Sequence, residues 1–151
     1  MAVALLQHNE RQPAFLSVQA VEHLFLNFSL EELTRSATAT RHNIDNTPTA
    51  DIVDNLRLLA NDVLEPLRCR FGVLRITSGY RCAELNRRVG GVPRSQHLDG
   101  NAADIHIASA QEGEKMKQWA LTHDLPVSQI LVEYNRNTAS RRLHIGRKPS
   151  A

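Results

Sequence analysis

Ser95-Gln-His97-Leu-Asp99-Gly100-Asn-Ala102-Ala103-Asp104-Ile105-His106-Ile107 changes character half-way along. Up to Gly100 it completes a loop that begins at Gly90 and is rich in Gly, Pro and Ser. From Ala103 polar and apolar residues alternate. Successive side chains of a strand point to opposite faces, so Asp104 and His106 share one face, and Ala103, Ile105 and Ile107 the other. The stretch therefore predicts a loop feeding a strand with one apolar side and one polar side.

Toward the C-terminus, Ser109-Ala-Gln-Glu112 has the form of a capping box, in which hydroxyl and carboxylate satisfy the open N–H groups of a helix start. The helix it opens carries Met116, Trp119 and Ala120 and ends near Asp124. Gln129 to Tyr134 and Arg142 to Gly146 read as strands, and the polar segment between them suits a hairpin with a loose loop.

Toward the N-terminus, Val73 to Thr77 reads as a strand broken by Ser78-Gly79, which leaves Arg81 just beyond its end. Cys82 to Val89 forms a short helix closed by Gly90-Gly91. Thr47 before Pro48 marks another helix start, because Pro at the first helical position gives up only an N–H without a partner. Ile52, Leu56, Leu59 and Val63 give that helix its apolar stripe, and Pro66 is expected to kink or end it. Ser29-Leu-Glu-Glu32 is a further capping box, opening a helix to about Arg35. Residues 1 to about 27 show no clear element.

Helices followed by separated short strands predict an α+β fold. Its small, mostly antiparallel sheet has about four strands, packed with helices, and the N-terminal half is helical. A chain of 151 residues, 42% hydrophobic and 23% charged, is expected to form one domain over residues 1–151. Eighteen basic against sixteen acidic residues leave a formal charge of +2, and aromatics are 5%, so neither an electrostatic footprint nor a stacking platform for nucleic acid is present. No apolar run approaches the roughly 18 residues of a membrane span. Ala2 to Leu6 is too short for a secretory h-region and lacks a basic segment before it, so synthesis in the cytoplasm without a signal peptide is expected. Cys69 and Cys82 are expected as two free, partly buried thiols, since a domain of this size needs no staple.

His97, Asp104 and the distant His144 in Leu143-His-Ile145 have the inventory of a metal site. A catalytic zinc takes three protein ligands of the His and carboxylate type and leaves a fourth position for water. Gly100 lets the chain turn between the first two, and Ala102 and Ala103 permit close packing. Each residue alone has an ordinary alternative: a solvated loop His, a salt-bridging strand Asp, a surface His on an edge strand. Together and in this order they are a stronger signal.

The chain resembles the zinc D-Ala-D-Ala carboxypeptidases, with the related dipeptidases and phage endolysins of the lysostaphin, D-Ala-D-Ala metallopeptidase and hedgehog fold group. Ser95, His97, Gly100, Ala102, Asp104 and His144 match the family's Ser-x-His, Gly-x-Ala-x-Asp and distant His. Ser78-Gly-Tyr-Arg81, Leu85-Asn86, Val89-Gly-Gly91 and Asp45-Asn46 ahead of Pro48 also match, so the resemblance runs from about Phe28 to Ile145. It implies one zinc per chain on His97, Asp104 and His144, and Arg81 as a cation near the substrate carboxylate or developing oxyanion. It also makes Ser95 and Gln96 candidate substrate-binding residues. Peptide hydrolysis needs a base as well, and Glu133, in the strand expected to pair with the one bearing His144, is the candidate.

The sequence departs from the family where many members place Trp two residues before the last histidine and this chain has Arg142. Asn135 to Arg141 is also long and polar. His106 is open to three readings: a fourth ligand, a partner of a ligand, or a polar residue lining the cleft. Asp99 is read as a loop residue. The implied partner is a peptidoglycan stem peptide, met by a monomer acting on the wall, and the expected lack of a signal peptide fits a phage or prophage lysis protein. The rival is a non-catalytic zinc module that binds wall peptides or proteins; such a module needs neither Glu133 nor Arg81.

Overall fold

The structure, a computed structural model, describes residues 25–149. The Ala2 to Leu6 stretch and most of the undivided N-terminal segment lie outside the described residues.

Ser29 caps α1 (Leu30–Thr34), its Oγ accepting the Glu32 N–H at 3.0 Å. Ser36 caps α2 (Ala37–Arg41) in the same way, accepting from Ala39. The next helix, α3 (Ala50–Leu59), begins two residues later than Thr47-Pro48 predicts, with Thr49 as its N-cap. Asp45 Oδ1 accepts the Thr47 N–H at 3.0 Å, and a residue before proline is biased to extended backbone, so this segment stays a turn.

Pro66 does not end the helix. Ala60–Leu64 forms a π-helical turn in which the Glu65 N–H reaches back to the Ala60 carbonyl, and the chain continues as α4 (Glu65–Phe71). The wide turn lies where proline could not have donated an α-helical bond. Leu56, Leu59 and Val63 of the expected stripe are fully buried, with Ile52 packed against the same core.

Four strands form one antiparallel sheet in the order β1-β2-β4-β3, with β1 Ile76–Ser78, β2 Ala102–Ile107, β3 Val127–Asn135 and β4 Ser140–Arg147. The architecture is α+β, as helices followed by separated short strands predict. β1 is shorter than Val73 to Thr77: Val73 is 84% exposed, and pairing with β2 starts at Ile76. Between β1 and β2 lie α5 (Ala83–Arg88), capped by Cys82, and a 3₁₀ turn, Gln96–Asp99. Ser109 caps α6 (Ala110–Thr122).

Ala103, Ile105, Ile107, Leu143, Ile145 and Ile130 are buried on one face of the sheet and belong to the same core as Leu56, Leu59 and Met116. The other face carries Asp104, Arg142, His144 and Glu133. The hairpin is tighter than a loose loop. β3 runs to Asn135, β4 starts at Ser140, and Asn135 Oδ1 accepts the N–H groups of Asn137 and Thr138 within the turn. Both cysteines are free, but Cys69 is exposed and only Cys82 is partly buried.

Candidate metal centre and cleft

Asp104 on β2 stands directly opposite His144 on β4. This cross-strand pair brings together side chains forty residues apart, with His144 Nδ1 2.9 Å from Asp104 Oδ1. His97 arrives from the 3₁₀ turn, its Nε2 3.3 Å from the same carboxylate oxygen. The turn closes at Gly100, whose φ of 72° is left-handed and whose missing Cβ would lie 3.0 Å from the Ile52 carbonyl oxygen. A side chain there would be strained twice over.

His97 is held from behind: its Nδ1 lies 2.6 Å from the Gly79 carbonyl oxygen. A carbonyl only accepts, so that nitrogen carries a proton and Nε2 is the ring atom left to face the cluster. Gly79 can come so close because no Cβ stands between it and the backbone of Leu33; one added there would overlap the Leu33 carbonyl.

One donor from each of His97, Asp104 and His144 lies within 4.8 Å of the others. Tetrahedral zinc with bonds of about 2.1 Å sets ligand atoms roughly 3.4 Å apart, so two imidazoles and a carboxylate at these separations fit the ion. His97 and Asp104 are buried and His144 nearly so. Burial works to raise the Asp104 pKa, but hydrogen bonds from His144 and His97 and the charges of His97 and Arg142 outweigh it. The carboxyl is held well below the ordinary carboxylate range.

These residues form one wall of a cleft of about 630 Å³ that Arg81, Ser95, Gln96, Glu133 and Arg142 also line. Arg81 lies at the end of the β1 loop, its N–H bonded to the His97 carbonyl and its Nη2 3.5 Å from Ser95 Oγ. Burial pulls its pKa down, against the opposing charge of Asp104, and its Nε is buried without a hydrogen-bond partner among the described residues. Ser95 also accepts the His97 N–H, at 3.2 Å. Gln96 bonds Ser128 and the Arg147 carbonyl, tying the 3₁₀ turn to the base of the hairpin.

His106 lies on the same face as Asp104 but is exposed, is not among the converging donors and does not line the cleft. Asp99 is a residue of the 3₁₀ turn whose carbonyl accepts from Asn55.

The sequence left two contributors without a role. Asn46 bonds the Thr34 and Tyr80 carbonyls through Nδ2 and the Cys82 N–H through Oδ1, clamping the backbone on both sides of Arg81. Arg142 places Nε 2.7 Å from Glu133 Oε2 and Nη1 3.5 Å from Asp104 Oδ2. Burial opposes its charge, but Asp104 and Glu133 outweigh it and raise its pKa. The signal for Asn46 was its place beside a proline turn; that for Arg142 was its spacing of two from His144, which puts both on one strand face.

No curated protein matches the chain. The family described as Peptidase M15 matches residues 26–138, a segment that contains Arg81, His97, Asp104 and Glu133 and ends before His144. His144, outside the matched segment, is brought to the cluster by the pairing of β2 with β4. With well over half its length matched and a His-Asp-His cluster able to hold a metal ion, the chain belongs to the Peptidase M15 family, of the zinc D-Ala-D-Ala carboxypeptidase-like metallopeptidases.

Proposed function

We propose that the protein hydrolyses peptide bonds of peptidoglycan stem peptides, as a D-Ala-D-Ala carboxypeptidase or a related endopeptidase, with one zinc on His97, Asp104 and His144. The observation that carries this reading is the convergence of those three donors within 4.8 Å on the wall of a cleft that a carboxylate, Glu133, and a cation, Arg81, also line. Zinc bound there would supply Lewis acidity, lowering the pKa of water and polarising a carbonyl.

The chain's own residues supply the rest. Glu133 takes the proton as water attacks the scissile carbonyl, and passes it to the leaving amine. Arg81, which has no carboxylate within hydrogen-bonding distance among the described residues, meets the substrate carboxylate or the oxyanion formed at the carbonyl. Ser95 keeps Arg81 and the His97 backbone in register, and with Gln96 it lines the peptide's path. The Asp104 carboxylate stays ionised between its two imidazole partners.

The test is digestion of purified peptidoglycan and of a stem pentapeptide ending in D-Ala-D-Ala, with mass spectrometry of the products. Release of terminal D-Ala identifies a carboxypeptidase, and cuts within the stem or cross-link an endopeptidase. Binding of stem peptide without turnover would replace this reading with that of a non-catalytic wall-binding module.

A further inference from the structure

Register puts Glu133 of β3 directly across from Arg142 of β4, while Asp104 of β2 lies across from His144, two residues further along β4 on the same face. The Arg142 guanidinium thus spans three strands, with Nε at 2.7 Å from Glu133 and Nη1 at 3.5 Å from Asp104. Two carboxylates sharing one cleft repel each other, and the repulsion falls most on the one free to move. Asp104 is 2% exposed and fixed by two histidines; Glu133 is 36% exposed and, among the described residues, its carboxylate is tethered by this guanidinium.

We propose that Arg142 is the positioning residue of the site: it holds the Glu133 carboxyl group over the cleft, beside Asp104, and so sets where the base stands. A guanidinium suits the task because its planar fork offers separate N–H groups to two carboxylates at fixed angles, which an ammonium does not. Arg142 itself touches no reacting atom. The inference rests on Glu133 being the base.

The experiment compares wild type, Arg142→Gln, Arg142→Lys, Glu133→Gln and the double variant Glu133→Gln/Arg142→Gln, each with its zinc content measured, on a stem pentapeptide. Arg142→Gln is expected to keep zinc and KM and to lower kcat on the order of tenfold, with Arg142→Lys falling between it and wild type. If Arg142 acts only through Glu133, removing it after the base is gone costs nothing, so the double variant matches Glu133→Gln. A loss in the double variant equal to the product of the two single losses overturns the proposal.

A second readout needs no turnover. In a crystal structure of metal-free Arg142→Gln the Glu133 carboxylate is expected to have left its position over the cleft, and finding it unmoved overturns the proposal. Should Arg142→Gln fail to fold, Arg142→Lys carries both comparisons. Full activity in Glu133→Gln is a separate result: it removes the base assignment itself, whatever Arg142 does.

Discussion

Gly79→Ala tests how the first imidazole is aimed. A Cβ at residue 79 would lie 3.0 Å from the Leu33 Cα and would overlap the Leu33 carbonyl oxygen, which is backbone and has no rotamer to yield. Carbon and oxygen rest at roughly 3.3 Å or more, so relief requires a displacement on the order of 1 Å of the loop that carries the Gly79 carbonyl. That carbonyl holds His97 Nδ1 at 2.6 Å, and an added ångström takes the pair beyond 3.5 Å, the limit of a useful bond. Overpacking of this kind costs about 1–3 kcal/mol of stability, and loss of the group that orients a metal-binding histidine typically costs about 10- to 100-fold in metal affinity. Urea denaturation of the metal-free protein reads the first, and competition for zinc against a chromophoric chelator reads the second. A variant with wild-type stability and wild-type zinc affinity would refute both the steric argument and the role given to the carbonyl.

The purified protein is expected to hold close to one zinc per chain, and His97→Ala, Asp104→Ala and His144→Ala each to lower that occupancy sharply; elemental analysis finding full zinc in all three would remove the ligand set. Glu133→Gln is expected to keep its zinc and lose on the order of 10²- to 10⁴-fold in kcat, and a wild-type rate would pass the base role to another group. Arg81→Ala is expected to keep both fold and zinc while weakening hydrolysis, chiefly in KM if it meets the substrate carboxylate and chiefly in kcat if it meets the oxyanion; unchanged kinetics would put Arg81 outside the chemistry.

Much of this arrangement is legible in local sequence. The two-residue period of Ala103 to Ile107 predicts both a strand and which of its faces meets the core, and Ala103, Ile105 and Ile107 are buried accordingly. Ser29 and Ser109 mark helix starts because a cap is a contact over three residues. What the sequence hides depends on register or on backbone. The Glu133–Arg142 pair exists because β3 and β4 align those positions, and a slip of one residue would send the two side chains to opposite faces. The Gly79 carbonyl has no side chain to announce its bond to His97. α2 escapes notice because its five residues, Ala-Thr-Ala-Thr-Arg, include two β-branched threonines and no apolar stripe. The π turn before Pro66 needs knowledge of which carbonyl the displaced N–H finds, which periodicity does not carry.

The strand order has a consequence for how the protein is made. β4 follows β3 in the chain yet lies between β3 and β2 in the sheet. A nascent chain that has released β1, β2 and the hairpin's first strand therefore has no central strand on which to pair β2 with β3. His144 belongs to that late strand, forty residues from the Asp104 it meets. Contacts of such separation form slowly, since a long loop must close before they give anything back. Until β4 enters, an incoming ion would find at most His97 and Asp104 of the proposed ligands, a two-donor site of low affinity. With zinc on the proposed ligands, metal capture would come after the sheet is closed and would add its stabilisation to the native state alone, locking in the strand that arrives last.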